Sequence, residues 1–471
     1  MNSLKTLKKW AFGAEATNDK KEPTAVGFFC EGKTMYETIY KEKLKTAKEA
    51  AALIKDGDEI EIGFGANFPV EFDAALAERA HELNHVAIRN GVLVDSSRLV
   101  AVGGPFLWQS WHGTGDVRRA MDKGTANHIP VRYSEIIRYV TENRDTDALV
   151  ISVSPMDKHG YFNFGIDGSH FFRLAEKAKT VIVEVNEKQP RIFGRTESEL
   201  HIDQVDVIIE AEPHIMGILP NRPYGDLDRK IAEIVVERME DEATVQLGIG
   251  ALPNAIGDVI ADSSLKDLGV HTEMYVDSFM KMTLAGKVTG MKKTLDRGRQ
   301  VSAFLAGTEA LYDFVNENPS IMVGPVDYVN GAATIAAQHK MTSINTAIQV
   351  NLRGEVSSES VGTRQISGSG GQFDFAVGSY LAPGGKGFIC LRSSRVDKNG
   401  VRHSNIVPDF LTGTAITLPA PVTQYVVTEY GICNLKGKSL YERAKALIAI
   451  AHPEFRDELI KTAMAKGFWK S

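Results

Sequence analysis

The sequence predicts an α/β protein made of two pseudo-symmetric domains, each a parallel or mixed sheet covered by helices, and three observations carry that prediction. Helical patterns alternate with short apolar strand patterns, glycines gather where those strands end, and one helix, turn, strand and glycine unit occurs twice. At 471 residues the chain is longer than one hydrophobic core usually serves, so two domains are the default. In such folds ligands collect where loops leave the carboxyl ends of strands, which places the expected site in a cleft between the halves.

Residues 1–40 read as an N-terminal arm. Lys5, Lys8 and Lys9 stand there beside Leu4, Leu7 and Trp10, but Glu15, Asp19, Glu22 and the lack of arginine argue against a targeting helix. The first domain, 41–220, opens with an alanine-rich helical pattern from Thr46 to Ile54. It turns at Lys55-Asp56-Gly57-Asp58, continues as the alternating strand Glu59-Ile60-Glu61-Ile62 and closes at Gly63-Phe64-Gly65. The second copy begins the second domain, 221–471. Ile231, Ile234, Val235 and Met239 form a helical stripe that leads through Glu240-Asp241-Glu242 into Thr244-Val245-Gln246-Leu247 and Gly248-Ile249-Gly250. The copies align without a gap from Ile54 and Met239 to Gly65 and Gly250, and the seam falls in 213–229, where Pro213, Pro220, Pro223 and Gly225 break any period. A further echo pairs the strand pattern from Ala148 to Val153, leading to Gly160, with that from Thr346 to Val350, leading to Gly354. Stretches from Thr180 to Val185, Val207 to Ile209 and Gly387 to Leu391 read as buried strands, and His271 to Ser278 as another with Glu273 in its middle.

Composition excludes several classes. With 43% hydrophobic and 24% charged residues the chain is neither disordered nor low in complexity, and a net charge of -6 leaves no general footprint for nucleic acid. Cys30, Cys390 and Cys433 lack CxxC spacing, so neither a disulfide framework nor a zinc site is expected, and a reducing, cytoplasmic setting fits. No apolar run reaches the ~18 residues of a membrane helix. A homodimer is the default assembly.

Glu273 is the outstanding residue, because a carboxylate inside an apolar strand is either a fault in a core or a tool. Gly248-x-Gly250, after one strand and before a helix, lets a backbone approach a ligand and offers free N–H groups to a phosphate or oxyanion. A dinucleotide fingerprint would need a third glycine where Pro253 stands. Glu273 does lie at the spacing of a ribose-binding acid, so an NAD-dependent dehydrogenase is the rival reading. Ser367-Gly368-Ser369-Gly370-Gly371-Gln372 exposes consecutive amides, which suit an anion nest, an oxyanion hole or a plain surface loop. Asn330, before Gly331, is either an amide donor or a turn residue, and the sequence does not choose. Lys386, Lys436 and Lys438 beside glycines could meet phosphates, though solvated loops are commoner. His159 and His271 have no partner at metal-ligand spacing, so no metal is expected.

These segments, taken in order and joined by Val427-Thr428-Glu429-Tyr430-Gly431, Val153 to Gly160 and Arg443 to Glu458, resemble the acetyl-CoA hydrolase/transferase branch of family I CoA-transferases, and within it the 4-hydroxybutyrate and butyryl-CoA:acetate CoA-transferases. The resemblance implies a ping-pong transfer of CoA between short-chain acids, with no tightly bound cofactor and with CoA and acyl-CoA as substrates. It implies Glu273 as nucleophile, with Gly371 N–H and Asn330 as an oxyanion hole. It also implies that Gly248, Ile249, Gly250, Ala251 and Leu252 contact CoA, and Gly368, Gly370 and Lys386 complete the expected CoA-binding set. The chain departs from the family pattern at Ser278, where glycine commonly follows the aspartate, and this bears on which acyl group is accepted. Acetyl-CoA hydrolase is the alternative that uses the same residues.

Overall fold

The computed structural model describes residues 35–469. The 1–40 arm therefore lies almost wholly outside the described residues, and the boundary at 40 falls within the helix Met35–Lys43. That helix belongs to the first half: the Tyr40 ring stacks on Phe162, and Lys43 donates to the carbonyls of Ile202 and Val205.

The first half is built on β1 (Glu59–Ile62), β2 (Val86–Asn90), β3 (Phe106–Ser110), β4 (Ala126–His128), β5 (Ala148–Val153), β6 (Thr180–Val185) and β7 (Val207–Glu210). These form one parallel sheet in the order β4-β3-β2-β1-β5-β6-β7. The second half repeats the plan with β8 (Thr244–Leu247), β9 (Gly269–Tyr275), β10 (Gln300–Leu305), β11 (Ile321–Val323), β12 (Met341–Thr346), β13 (Lys386–Cys390), β14 (Tyr425–Thr428) and β15 (Gly431–Asn434). Its order is β11-β10-β9-β8-β12-β13-β14-β15, parallel except for the antiparallel edge strand β15. Both sheets reverse their winding beside the first strand of the copy, so β1 and β8 lie at equivalent switch points, where doubly wound sheets leave a crevice.

Two expectations need correction. The counterpart of β5 is β12, which holds the matching place beside β8; Gln349–Asn351 belongs to a separate three-stranded sheet. The sequence hid β12 because polar residues fill most of its buried positions between Met341 and Ile344 and beyond: Ser343 bonds Ser379 at 2.9 Å, and Asn345 exchanges amide hydrogen bonds with Gln246 at 3.0 and 3.1 Å. The strand containing Glu273 stops at Tyr275, because Asp277 opens the helix Asp277–Leu284 and its carboxylate accepts from the backbone N–H and hydroxyl of Thr308.

The halves share a core. One continuous apolar cluster runs from Leu149, Ile151 and Val183 of the first sheet to Val245, Leu247, Val270 and Phe304 of the second. Phe304 stands edge-on to Phe64 at 4.8 Å and to Tyr133 at 5.8 Å between ring centres. The backbone crosses the seam as well, from Gly168 N–H to the Ala303 carbonyl at 3.0 Å and from Leu305 N–H to the Ile166 carbonyl at 2.8 Å. Among the described residues no helix is long and apolar enough to cross a membrane.

Phe304→Ala should remove the ring on which both halves close, at a cost of about 3–5 kcal/mol. The expected readout is a lower denaturant midpoint for the whole protein; an unchanged midpoint would show that the halves do not depend on this joint.

Candidate active site

Glu273 sits where the second sheet opens. β8 and β9 pair only at Thr244 with Gly269 and Val245 with Val270, whereas β8 and β12 stay paired to Leu247 with Ile344. Beyond Val270, β9 therefore leaves β8, and the Glu273 side chain is partly exposed between buried Thr272 and Met274.

Two donors face its carboxylate. Asn330 Nδ2 donates to Glu273 Oε2 at 2.6 Å. Asn330 is fully buried at the end of the short helix Val326–Val329, held by its own N–H on the Val326 carbonyl at 2.8 Å, and His271 Nε2 bonds the neighbouring Val329 carbonyl at 2.7 Å. Burial pushes the His271 pKa down to about 3, so this ring is a neutral donor inside the wall of the site. The second donor is the Gly371 N–H, at the amino end of the helix Gln372–Leu381, where the helix dipole adds positive potential. A side chain at Gly371 is impossible without displacement, since a Cβ would lie 2.1 Å from both Glu273 Oε2 and Asn330 Nδ2.

Burial raises the Glu273 pKa to about 7, with the Asp374 charge acting in the same direction and the bonds from Asn330 and Gly371 opposing both. Asp374 lies in the first turn of the same helix, buried, and it reaches into the first half. Ser134 Oγ donates to it at 2.9 Å and Arg132 approaches at 3.4 Å; burial lifts its pKa to about 6. The glycine loop before the helix is pinned there too. A Cβ on Gly368 would lie 1.9 Å from the Trp111 carbonyl, Ser369 Oγ donates to the Val131 carbonyl at 2.9 Å, and Tyr133 N–H donates to the Gly370 carbonyl at 3.1 Å. Gly370 itself has φ +51°, a conformation glycine adopts without strain.

The structure thus brings together Glu273, Asn330, Gly370 and Gly371, with Gly368 anchoring their loop. The turn from Gly248 to Leu252 follows β8 at the switch point of the same sheet. Gly250, at φ +115°, has open space where a Cβ would stand, Ile249 is exposed, and Ala251 and Leu252 begin the helix Ala251–Asp262. Lys386 is not brought to this group. It starts β13 at the amino end of the sheet, where Nζ binds Glu240 Oε1 at 2.6 Å and the Arg238 carbonyl at 2.8 Å. Sequence reasoning missed Tyr133, Ser134 and Arg132, whose roles come from contacts across about half the chain and leave no local signal.

The chain carries two domains of one family. The acetyl-CoA hydrolase/transferase N-terminal domain matches residues 30–220, and the acetyl-CoA hydrolase/transferase C-terminal domain matches 307–463. A butyryl-CoA:acetate CoA-transferase of Anaerostipes caccae is 46% identical over 440 residues, which cover 92% of this chain and 99% of that one. A 4-hydroxybutyrate coenzyme A transferase of Clostridium kluyveri is 40% identical, over 90% of this chain and 98% of that one. Among solved structures, RipA from Yersinia pestis superposes with a TM-score of 0.86 at 34% identity, covering 92% of this chain and 99% of that one. A 4-hydroxybutyrate CoA-transferase from Porphyromonas gingivalis gives 0.74 at 31% identity, covering 92% and 100%. The chain belongs to the acetyl-CoA hydrolase/transferase family and is an enzyme of the CoA-transferase class.

Gly371→Ala keeps its N–H but places a Cβ on Glu273 and Asn330, so that donor and carboxylate must move apart. It should cost on the order of 10²–10³ in kcat, the size of effect seen when one oxyanion donor is lost. The check is steady-state kinetics beside a melting curve: full activity in a folded Gly371→Ala protein would show that the close approach of this loop to Glu273 and Asn330 is not needed for the chemistry.

Proposed function

We propose that this enzyme moves CoA between a short-chain acyl-CoA and a free carboxylic acid, with acetate as one partner and butyrate or 4-hydroxybutyrate as the other. The observation that carries the reading is the Glu273 carboxylate, set at the open edge of β9 between the Asn330 amide and the Gly371 N–H. The names of the relatives at 40–46% identity supply the acids.

In this reading the Glu273 carboxylate attacks the thioester carbonyl of acyl-CoA. The tetrahedral oxyanion is held by Asn330 Nδ2 and Gly371 N–H, CoA leaves as thiolate, and an acyl-glutamyl anhydride remains. The thiolate then attacks the glutamyl carbonyl of the anhydride, releasing the first acid as carboxylate and leaving a glutamyl-CoA thioester. The acceptor carboxylate attacks that thioester and expels the thiolate. The thiolate takes the acceptor's acyl group from the new anhydride and restores the Glu273 carboxylate. No water enters the balance. A carboxylate is a weak nucleophile towards a thioester, and fixed geometry compensates: well-oriented intramolecular reactions reach effective molarities of ~10⁵ M or more. The same donors that assist the attack must not bind Glu273 so tightly that it is inert, and its pKa of about 7 is consistent with that balance.

A dehydrogenase would leave Glu273 free for a ribose, whereas here it is committed to Asn330. Hydrolysis is set apart by the acceptor. With butyryl-CoA the enzyme should form acetyl-CoA only when acetate is present, with the parallel reciprocal plots of a ping-pong reaction. Because only the carboxylate is nucleophilic, kcat/KM should rise with pH and level off above about 7. Loss of butyryl-CoA at an acetate-independent rate, without acetyl-CoA, would replace transfer by hydrolysis.

A further inference from the structure

The strand that carries the nucleophile also grips the donor that faces it. His271 and Glu273 stand two residues apart on β9, so both side chains leave one face of the strand, and both meet the end of the helix Val326–Val329. Glu273 Oε2 accepts from Asn330 Nδ2 at 2.6 Å, and His271 Nε2 bonds the Val329 carbonyl at 2.7 Å. That carbonyl and the Asn330 N–H are the two polar ends of a single peptide unit, and the N–H is fixed on the Val326 carbonyl at 2.8 Å. The plane that sets the direction of the Asn330 side chain is therefore held at both ends. Asn330 Oδ1 accepts no hydrogen bond among the described residues, so its own oxygen does not orient the carboxamide.

A second set of contacts fixes which ring nitrogen carries the hydrogen. The Leu295 N–H, which can only donate, bonds Gln338 Oε1 at 3.3 Å, so the other end of that amide, Nε2, is the donor to His271 Nδ1 at 3.4 Å. His271 Nδ1 is then the acceptor, and the ring hydrogen sits on Nε2, aimed at the Val329 carbonyl. Burial and the Lys293 charge keep the ring neutral, outweighing the Val329 bond and the Asp296 charge. Lys293 is itself held by the carbonyls of Val270 and Arg299, at 2.9 and 2.8 Å. The rings of Tyr328 and Phe375 lie against His271 at 6.4 and 6.3 Å between ring centres. His271, Asn330 and Gln338 are all fully buried.

We propose that His271, locked by Gln338 with its hydrogen on Nε2, is a positioning residue for the oxyanion hole: it holds the Val329–Asn330 peptide so that Asn330 Nδ2 meets the tetrahedral oxygen formed when Glu273 attacks. The assignment rests on the CoA-transfer reading above. The ring touches neither the substrate nor the reacting atoms, and it exchanges no proton during turnover. Without its hydrogen the peptide can rotate, and a displaced donor loses its advantage in the transition state.

The test is a double-mutant cycle on turnover. His271→Phe keeps a ring in the wall and removes the Nε2 hydrogen; kcat should fall on the order of 10–100-fold, with KM for acyl-CoA unchanged. His271→Gln, whose amide can present an N–H at the place of Nε2, should recover most of that loss. In an Asn330→Ala background His271→Phe should cost nothing more, because the group it positions is gone. The pH profile gives a second readout. The Asn330 bond lowers the Glu273 pKa against burial and the Asp374 charge, so the midpoint of kcat/KM should move up from about 7 in His271→Phe and stay there in His271→Gln. Gln338→Met leaves the ring and frees its tautomer; it should lower kcat about threefold, and the same cycle reads it if His271→Phe does not fold. If the two effects multiply, or the midpoint stays, while the wild type transfers CoA, the positioning role is overturned and transfer stands. If the wild type only hydrolyses acyl-CoA and the effects fail to multiply on that hydrolysis, the positioning role stands and transfer falls.

Discussion

A carboxylate that has lost most of its water stays ionised only if fixed donors replace that water, and the architecture around Glu273 follows from this requirement. Its pKa of about 7 marks a balance between desolvation, which favours the acid, and two donors that favour the anion. Each donor depends on further structure. Asn330 is held by the end of a buried helix backed by His271, and the Gly371 amide by a loop pressed against Trp111, Val131 and Tyr133 of the other half. The site therefore exists only when the halves are closed on each other, which explains why their interface is a continuous core with shared backbone bonds.

The two halves repeat one plan but have divided the work. Stepping along β2 and β9 from the equivalent pairs Ile60 with Ile88 and Val245 with Val270, the position matching Glu273 is Gly91. A side chain at Gly91 would strike Phe64 and Trp111 within 2.3 Å, so the first half fills this place with aromatic rings. Those rings, with Tyr133, receive Phe304 and set the loop that carries Gly370 and Gly371. The second half supplies the carboxylate and both donors; the first supplies the surface that holds them in register.

Much of this plan was legible in the chain. β1, β5, β6 and β8 coincide with runs whose alternation or continuous apolar character identifies a strand, and the gapless echo from Gly65 to Gly250 reflects equivalent places in two sheets. Glu273 stood out because a lone carboxylate in such a run needs a reason. β12 was illegible because its buried Ser343 and Asn345 are satisfied by distant partners, which no window of sequence displays. Lys386 was misplaced for a related reason: a lysine beside glycines looks the same at either end of a strand, and here it serves Glu240 at the end away from Glu273. The clasp of Asp374 on Ser134 spans 240 residues and was equally invisible.

The claim on which the account rests is that Glu273 becomes covalently acylated and then carries CoA. Incubation with acyl-CoA, reduction with borohydride and peptide mass analysis tests it most directly. The account predicts a CoA-sized mass gain on the intact protein, and a borohydride-sensitive modification on the peptide containing Glu273, both absent in Glu273→Gln. An active protein without such an adduct, or one that carries it on a different acid, would contradict it.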